Sequence, residues 1–590
     1  MPYTALLLRE SREAMGIRLE EAVVVVDEAH NIIEAINAVH SVKVGLAEIS
    51  RAHSQLSQYE ARYGSRLKGK NAFYVGNILR LLRAFLKFLK RQEQRGQGQG
   101  GGGILQKYAS SVDAGKVEVL VGVGTRGEGG GKDETSEMLG INQFLFRAAV
   151  DNVNIFKVQR YMERSGISRK ARTLWVMGFL DLSGVSSPAS GVNLQGAGAG
   201  AAGGVRPGSG LGGGKGERGG GGAPAFVSRH VSALQKVQGF LEALTNANKD
   251  GRVLASYGSP RGGRSEAGAR GQPHDQEEPF LKFVMLNPAV HFEEIVRKAR
   301  SIILVGGTMQ PSGDLVRQLF SSVGSDKSVE VFACGHVIPK ENLLPLCMAR
   351  GPTGKTFNFT FHMRGSVEQL DELGRLMSNV CTIVPGGVVC FLSSYSYLDQ
   401  VVARWKSTGL MQQLGKRKSV FMEPRSAKDV DTVLRDFSLA ARRPRSDNGG
   451  RDGGGGLLLS VVGAKMSEGI NFSDELARCV VMVGLPYPDK RDPELKQKML
   501  YLDATNPQSG GRAGREYFQN ICMRAVNQSI GRSIRHASDY SSILLVDQRY
   551  CDNQVLGLLP GWISERVVRP TNFGEAFLFL RKFYTAMQRK

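Results

Sequence analysis

The chain has 590 residues, of which 41% are apolar, enough for two to four folded domains. Its 74 glycines exceed what globular domains contain and are clustered, so we expect folded domains interrupted by low-complexity tracts. The formal net charge of +22 favours a polyanionic partner such as nucleic acid, although part of that charge lies in glycine-rich tracts and could serve only solubility.

Cysteine usage and hydropathy exclude several classes of protein. The seven cysteines never lie closer than nine residues apart, so the chain encodes neither a CxxC zinc ribbon nor a dithiol redox motif. Most lie in apolar runs such as CTIVPGGVVCFL, where a buried free thiol is expected and a reducing compartment fits. No apolar run reaches about 18 residues, so no membrane span is predicted. The charged start MPYTALLLRESREAMGIRLEEA is not a signal peptide.

The first chemical motif follows a predicted strand near the start of the chain. Residues 3–20 have helical spacing, and Ala22–Val26 is a continuous apolar run typical of a buried parallel strand. The run leads into DEAH, with Asp27, Glu28 and His30, at the sheet edge where open α/β folds bind ligands. One carboxylate can hold Mg²⁺ through its waters and the next can activate a water, as phosphoryl transfer requires. An acidic pair without function is the alternative.

Residues 45–278 have a different residue pattern, in which amphipathic helical segments are separated by glycine-rich tracts. Helices are predicted over 71–92, 141–164 and 229–248. The last has one apolar face, formed by Val231, Leu234, Val237, Leu241 and Leu244. The glycine-rich tracts are 94–103, 127–131, 196–224 and 259–278. They cannot bury enough apolar surface to fold, so we expect disordered loops there.

From residue 279 onward the pattern is regular α/β. The strand-like runs are FVML, SIILVGGT, GGVVCFLSS, GLLLSVVG, RCVVMVGLPYP and SSILLVDQRY, and helical segments separate them. Such alternation predicts a parallel sheet covered on both faces. The simplest organisation is one α/β domain interrupted by a helical insertion and followed by a second α/β domain.

A second chemical motif is AVNQSIGRSIRHASDY, residues 525–540. Gln528, Arg532 and Arg535 are spaced i, i+4, i+7 and are predicted to share one helical face, beside Gly531, which permits close approach. Guanidinium groups that stay charged suit a transition state with negative charge on phosphoryl oxygens. A basic helix facing solvent or a nucleic-acid backbone is the alternative.

Three further segments are weaker candidates, since strand ends often carry Gly, Ser and Thr for turn geometry. They are GGTMQP (306–311), SVVGAKMSEGINFSDE (460–475) and FLSSYSYLDQV (391–401). They carry Thr308 with Gln310, Lys465 with Glu468 and Gly469, and Ser393 with Ser394, respectively. GPTGKTF (351–357) is rejected as a phosphate loop because Ala349 stands where a glycine is required.

In this order the motifs resemble superfamily-2 DEAH-type DNA helicases of the XPD/FANCJ iron–sulfur group, in particular the ChlR/Chl branch linked to sister-chromatid cohesion. The resemblance rests on VVVVDEAHNI, ILVGGTMQP, LLLSVVGAKMSEGINFSDELARCVVMVGLPYP and AVNQSIGRSIRH. It implies an α/β fold of two RecA-like parallel-sheet motor domains, the first truncated at its N-terminus, with a helical arch-like insertion containing disordered glycine-rich loops. The implied boundaries are 1–44 and 279–345 for motor domain 1, 45–278 for the insertion and 346–590 for motor domain 2.

The resemblance also implies an ATP-driven motor that moves 5′→3′ on single-stranded DNA and unwinds forked DNA. Its roles carried over by position are Asp27 for Mg²⁺, Glu28 for the attacking water, and His30, Thr308 and Gln310 for coupling ATP to DNA. Gln528, Arg532 and Arg535 would reach the triphosphate, Glu468, Gly469 and Gly531 would line the nucleotide site, and Ser393, Ser394 and Lys465 would lie near DNA.

In that family a phosphate loop and four cysteines that ligate a [4Fe–4S] cluster precede the DEAH strand, and neither occurs in these 590 residues. We therefore expect a chain that begins inside motor domain 1, exposes an apolar sheet edge, aggregates, and hydrolyses ATP negligibly by itself. A non-catalytic DNA-binding scaffold is the main alternative, and RNA binding through RGGR-type tracts is another. The implied setting is nuclear, in DNA repair and cohesion, with cohesion or replication-fork proteins as partners.

Overall fold

The computed structural model describes residues 3–95, 136–173, 232–245, 250–258, 278–321, 329–443, 454–466, 472 and 474–589. The chain divides into two units, one formed by Met1–Val39 with Leu286–Lys590, the other by His40–Met285. The four predicted glycine-rich tracts, apart from residues 94, 95 and 278, lie outside the described residues. No described helix combines the length and the apolar character needed to cross a bilayer.

The larger unit contains a six-stranded parallel sheet in the order β7-β12-β11-β8-β10-β9. The strands are β7 Leu343–Met348, β8 Gly387–Leu392, β9 Ser419–Met422, β10 Gly456–Val461, β11 Cys479–Val483 and β12 Ser541–Val546. The predicted parallel α/β domain is confirmed. Strands β7 and β9 were not predicted; β7 contains Pro345, which is compatible with its place at the sheet edge.

Helices cover both faces of this sheet. They are Val367–Ile383, Tyr395–Ser407, Leu410–Gly415, Val430–Ala441, Pro493–Thr505, Ala513–Ile530, Asn553–Leu556, Gly561–Ser564 and Phe573–Arg589. Every residue of β8 is buried. Val388 and Cys390 join one hydrophobic cluster, whereas Val389 and Phe391 join another, because successive side chains of a strand point to opposite faces.

The same unit holds a two-stranded parallel sheet of β1 (Val23–Val26) and β6 (Ser301–Leu304). Around it lie the helices Tyr3–Leu7, Arg9–Ala14, Ile32–His40, Ala289–Lys298 and Ser312–Phe320. The prediction of a buried strand is only partly correct, because Val26 is buried whereas Val23 and Val25 are 52% and 62% exposed. Only one face of β1 packs on the local core, which includes Phe292.

The smaller unit has its own antiparallel sheet in the order β2-β5-β4-β3. The strands are β2 Val42–Gly45, β3 Ser136–Gly140, β4 Gly251–Ser256 and β5 Phe280–Met285. The insertion is therefore not purely helical, and the FVML run belongs to this sheet rather than to a motor sheet. Val42 pairs with Phe283 and Gly45 with Phe280, which extends the unit beyond the predicted limits of 45–278.

The helices of this unit whose full bounds the structure describes pack on the antiparallel sheet or on one another. They are Leu46–Tyr63, Gly69–Arg95, Ile141–Arg147, Ile155–Ser165 and Ala233–Thr245. The predicted apolar face of the last helix is buried at Leu234, Val237, Leu241 and Leu244, while Val231 lies outside the described residues. A buried cluster that includes Phe85, Phe144 and Phe240 forms the core of this unit.

Candidate functional site

The carboxylate loop, residues 27–30, follows β1 directly. Glu28 has φ 49° and ψ 42°, a left-handed conformation that is uncommon for a residue other than glycine. Its N–H donates to Asp27 Oδ1 at 2.9 Å, and the Tyr3 hydroxyl donates to the carbonyls of Asp27 and Glu28 at 2.7 and 2.8 Å. These bonds hold the loop while both carboxylates remain exposed at the strand end.

The threonine loop, residues 305–311, follows β6. Because β1 and β6 are parallel neighbours, their carboxyl ends lie at the same edge of the sheet. The Ala29 N–H donates to the Val305 carbonyl at 2.9 Å, so the two loops are bonded directly. A Cβ added to Gly306 would lie 3.7 Å from the Ala29 nitrogen. Thr308 and Gln310 therefore continue from the same edge as the predicted carboxylates.

His30 is buried where these loops meet, with 7% of its side chain exposed. Burial lowers its pKa, and the positive charges of Arg524 and Arg532 lower it further, whereas Glu28 raises it. Its Nδ1 lies 3.2 Å from a Glu28 carboxylate oxygen without forming a hydrogen bond to it. The imidazole is therefore neutral at pH 7.

The contact helix, Ala513–Ile530, carries Gln528 but not the predicted arginines. The prediction that Arg532 and Arg535 continue its face is wrong, because the helix ends at Ile530. The turn that follows places Arg532 in a half-buried position and Arg535 on the surface.

Gly531 brings the end of the contact helix close to the threonine loop. A Cβ there would lie only 2.9 Å from both the Asn527 carbonyl oxygen and Thr308 Cγ2. The Gly531 backbone itself is right-handed, with φ −68°, so space rather than backbone strain requires glycine. Gly531 also donates its N–H to the Asn527 carbonyl at 2.9 Å.

Asn527, which the sequence reasoning missed, bonds the contact helix to the threonine loop. Its side chain is fully buried, and Nδ2 donates to the carbonyls of Gln310 at 3.2 Å and Leu558 at 2.9 Å. The sequence AVNQSI offers little signal, because Asn527 is followed directly by a second amide, Gln528. Such a buried amide needs hydrogen-bond partners.

A buried ion pair joins the contact helix to the helix Ser312–Phe320. Arg524 Nη2 lies 2.9 Å from Asp314 Oδ2, with 13% and 3% of the side chains exposed. Gln318 Nε2 donates to the same oxygen at 2.9 Å. These residues are 210 positions apart, so neither segment alone indicates the pair.

The predicted DNA-contacting serines already have partners within the protein. Ser393 Oγ accepts a hydrogen bond from Arg364 Nη1 at 2.8 Å. Ser394 is the N-cap of the helix Tyr395–Ser407, and its Oγ accepts the Tyr397 N–H at 3.2 Å. Their hydroxyls follow β8 at its carboxyl end, and the contact of either with DNA stays a prediction.

Lys465 is exposed in the segment that follows β10. This segment is held by Glu423, a buried carboxylate that accepts the Met466 N–H at 2.9 Å. Glu423 was not predicted, because its importance depends on the neighbouring strand. The nucleotide-site residues Glu468 and Gly469 lie outside the described residues.

The GKT segment, which the sequence does not support as a phosphate loop, is hydrogen-bonded to a buried carboxylate. Glu372 is fully buried and accepts the Thr353 N–H at 2.6 Å and the Thr353 hydroxyl at 2.8 Å. The Gly351 N–H donates to the Lys355 carbonyl at 2.8 Å, which closes a tight turn. These donors are occupied within the protein and do not form a cradle for phosphate.

The carboxylate loop fits a hydrated Mg²⁺, which prefers one or two carboxylates and keeps several waters. The described cysteines do not fit an iron–sulfur cluster. Among the described residues, Asp474, His536 and Asp539 are the group that could hold a metal, with ligand atoms within 4.8 Å of one another. Arg478 Nη1 already pairs with Asp539 at 2.7 Å, and the group contains no cysteine.

Two family models match the chain. The model described as Helicase C-terminal domain matches residues 377–566, and the model described as DEAD_2 matches residues 1–49. A solved structure titled Structure of S. tokodaii Xpd4 is 13% identical with a TM-score of 0.46, covering 96% of this chain and 81% of that chain.

Curated relatives match almost the whole chain. ATP-dependent DNA helicase DDX11 of Mus musculus is 42% identical over 99% of this chain and 59% of its own length. The protein of the same name from Danio rerio is 41% identical over 100% of this chain and 61% of its own length. ATP-dependent DNA helicase chl1 of Aspergillus clavatus is 32% identical over 99% of this chain and 69% of its own length.

The chain thus spans about three fifths of the length of the two vertebrate relatives. The predicted resemblance to the Chl branch is confirmed at the level of the family. The chain belongs to the DDX11/Chl1 family, whose members are named ATP-dependent DNA helicases.

Proposed function

We propose that this chain supplies part of the motor of an ATP-dependent DNA helicase, including two sides of its ATP site. The observation that supports the proposal is the meeting of the carboxylate loop, the threonine loop and the end of the contact helix. Gly531 lies against Thr308, and the charge of Arg532 acts on buried His30. The carboxylate loop and the guanidinium group of Arg532 thus belong to one region, which supports a site for hydrolysis of a nucleoside triphosphate.

Each side would have a distinct chemical role. Asp27 would hold Mg²⁺ through water, and Glu28 would orient or deprotonate the attacking water. Bound Mg²⁺ would neutralise charge on the phosphates. Arg532 and Arg535 would stabilise the charge that develops on the phosphoryl oxygens.

Coupling to DNA would run through residues that link the two loops to the contact helix. His30, Thr308, Gln310, Gln528 and Gly531 occupy or adjoin this junction, and Asn527 bonds directly to the Gln310 carbonyl. A change of ATP state that moves the contact helix would therefore move both loops. Ser393, Ser394 and Lys465 would contact the backbone of single-stranded DNA, with translocation 5′→3′ and unwinding of forks.

A non-catalytic DNA-binding scaffold is the second candidate. It is favoured by the contrast between the six-stranded sheet around β8 and the two-stranded sheet of β1 and β6. In that case the domain built on the six-stranded sheet would bind DNA without coupling to ATP. Either candidate acts on DNA, so we propose a nuclear location, a role in cohesion and repair, and replication-fork or cohesion proteins as partners.

The test is ATP hydrolysis stimulated by single-stranded DNA, measured on two samples. One is the 590-residue chain, and the other is a chimera that places the phosphate-loop segment of a family member ahead of β1. We expect the chimera to hydrolyse ATP with stimulation by DNA. Glu28→Gln should abolish turnover, and Arg535→Ala should lower kcat by about 10²–10³, the typical effect of losing a preorganised charge.

Controls separate the two candidates. Arg317→Ala, on an exposed side chain of the helix Ser312–Phe320, should leave kcat within about twofold of the parent chimera. A chimera that melts cooperatively and binds DNA but hydrolyses no ATP would contradict the motor proposal and favour the scaffold. DNA binding that responds to ATP would count against the scaffold.

A further inference from the structure

An open cleft on the smaller unit has no role in the proposed ATP site. It lies between the end of the helix Leu46–Tyr63 and the segment 166–173, with a volume of about 520 Å³. Pockets of about 300–1,000 Å³ commonly hold small ligands or ligand fragments. The lining residues are Tyr59, Tyr63, Arg66, Leu67, Arg169, Lys170 and Thr173.

One wall of the cleft is aromatic. Tyr59 and Tyr63 lie one helical turn apart, with ring centroids separated by 5.2 Å and planes inclined by 50°. Tyr59 packs against the hydrophobic core of its unit, which fixes its ring. Both side chains are half-buried and contribute to the cleft surface. The wall is therefore a preformed aromatic surface.

The cleft also concentrates positive charge. Arg66, Arg169 and Lys170 are exposed, and no carboxylate is among the described residues that line the cleft. Within the described part of the chain, none of these three cations forms an ion pair. In the same unit, by contrast, Arg147 and Lys236 pair with glutamates. Uncompensated like charges around a concave site attract an anionic ligand.

We propose that this cleft binds a nucleotide of single-stranded DNA, with the base against Tyr59 or Tyr63 and the flanking phosphates near Arg66, Arg169 and Lys170. Aromatic side chains stack on any base, and a basic groove follows the backbone. An acidic peptide would satisfy the cations but would leave the aromatic wall without a planar partner. The inference rests on the proposed DNA-directed function and adds a site on the smaller unit.

Photo-crosslinking locates the base. The 590-residue chain is irradiated with a single-stranded oligonucleotide that carries 5-iododeoxyuridine, and crosslinked peptides are identified by mass spectrometry. We expect crosslinks at Tyr59 or Tyr63, with a loss of at least fivefold in Tyr63→Ala. Phe73→Ala removes a 65% exposed aromatic ring of the same unit and should leave the yield unchanged.

Salt dependence measures the phosphate contacts. For single strands, the logarithm of the binding constant falls with that of the salt concentration by about 0.7 for each phosphate contact. The triple variant R66Q/R169Q/K170Q should therefore reduce this slope by about 2. The matched triple K157Q/R160Q/R164Q removes the same charge from exposed positions and should change the slope by less than about 0.7.

The outcomes separate this inference from the proposed function. If the wild-type chain binds the oligonucleotide but crosslinks map elsewhere, or both triples lower the slope equally, the cleft assignment is overturned while the proposed function stands. Displacement by poly-glutamate without any oligonucleotide crosslink at the tyrosines would assign the cleft to an acidic peptide and overturn the inference. Failure of the wild-type chain to bind single-stranded DNA would overturn both. Circular dichroism melting curves show that each variant is folded.

Discussion

Arg524 and Asp314 show how much a single pair of residues contributes to the candidate ATP site. Their 2.9 Å contact is buried and joins the contact helix to the helix that follows the threonine loop. A second pair on the same two helices, Arg317 and Glu516, lies 3.1 Å apart with about half of each side chain exposed. Burial determines how much an ion pair contributes to the free energy of unfolding. The buried pair and the exposed pair therefore provide matched variants.

Arg524→Ala should destabilise the larger unit by about 3–5 kcal/mol, since it leaves the Asp314 carboxylate buried without its cation. Arg317→Ala should lower the free energy of unfolding of the same unit by less than about 1 kcal/mol. Urea denaturation measures both, and the midpoint should shift without a change of slope. An equal loss of stability in the two variants would contradict the assignment of Arg524 as a buried contact between the helices.

His30 makes the stability of the larger unit depend on pH. Burial, Arg524 and Arg532 lower its pKa in the folded state, so the unfolded state binds a proton first as pH falls. The stabilising contribution is therefore present above about pH 6.5, the unfolded value, and is lost as pH falls toward the folded value. His30→Gln should reduce the loss of stability between pH 7 and pH 5 in denaturant titrations. A pH dependence identical to that of the wild type would contradict this role.

At the scale of elements, the sheet of β1 and β6 has one apolar face on the surface. Val25 is 62% exposed and its cross-strand partner Ile303 is 46% exposed, whereas the next residue of β1, Val26, is buried. Contiguous exposed apolar side chains on a strand are an aggregation hazard. These side chains form an exposed face of the sheet, whereas the predicted exposure of an apolar sheet edge beside the DEAH motif stays a prediction.

The double variant V25T/I303T should lower self-association in light scattering at equal protein concentration. Its stability should stay within about 0.5 kcal/mol of wild type, because both side chains are largely exposed. Val26→Thr is the control on the buried face, where an unbonded hydroxyl should cost about 1–3 kcal/mol. Unchanged scattering in the double variant would mean that another surface drives association.

At the scale of the whole molecule, the two units have separate hydrophobic cores. The smaller unit is built around Phe85, whose ring lies 5.5 Å from Phe144 and 5.9 Å from Phe240. The larger unit contains Phe391 in a different cluster, on β8. Since no described residue belongs to the cores of both units, each unit should unfold as its own cooperative block.

Phe85→Ala should lower one of two transitions in differential scanning calorimetry, with a loss of about 3–5 kcal/mol in that unit alone. Phe391→Ala should lower the other transition by a similar amount. A single transition that moves with both variants would show that the units unfold together.

Local residue patterns sufficed for much of the chain. Continuous apolar runs predicted the parallel strands β8, β10, β11 and β12, because a strand buried on both faces needs apolar side chains at every position. The DEAH motif and the threonine segment were placed at strand ends by the same pattern. Family membership could also be predicted from the sequence, because the order of the motifs is a property of the linear chain.

Tertiary contacts determined the strand pairing, the helix end and the ion pair that residue patterns did not predict. FVML has the composition of a motor strand, yet it pairs with β2 and β4 because hydrogen-bond partners, not composition, select the sheet. The regular spacing of Gln528, Arg532 and Arg535 predicted one helix, but the chain turns after Ile530, where Gly531 lies close to Thr308. Asp314 and Arg524 became partners only when distant segments packed together, because a buried charge is stabilised by its neighbours in space.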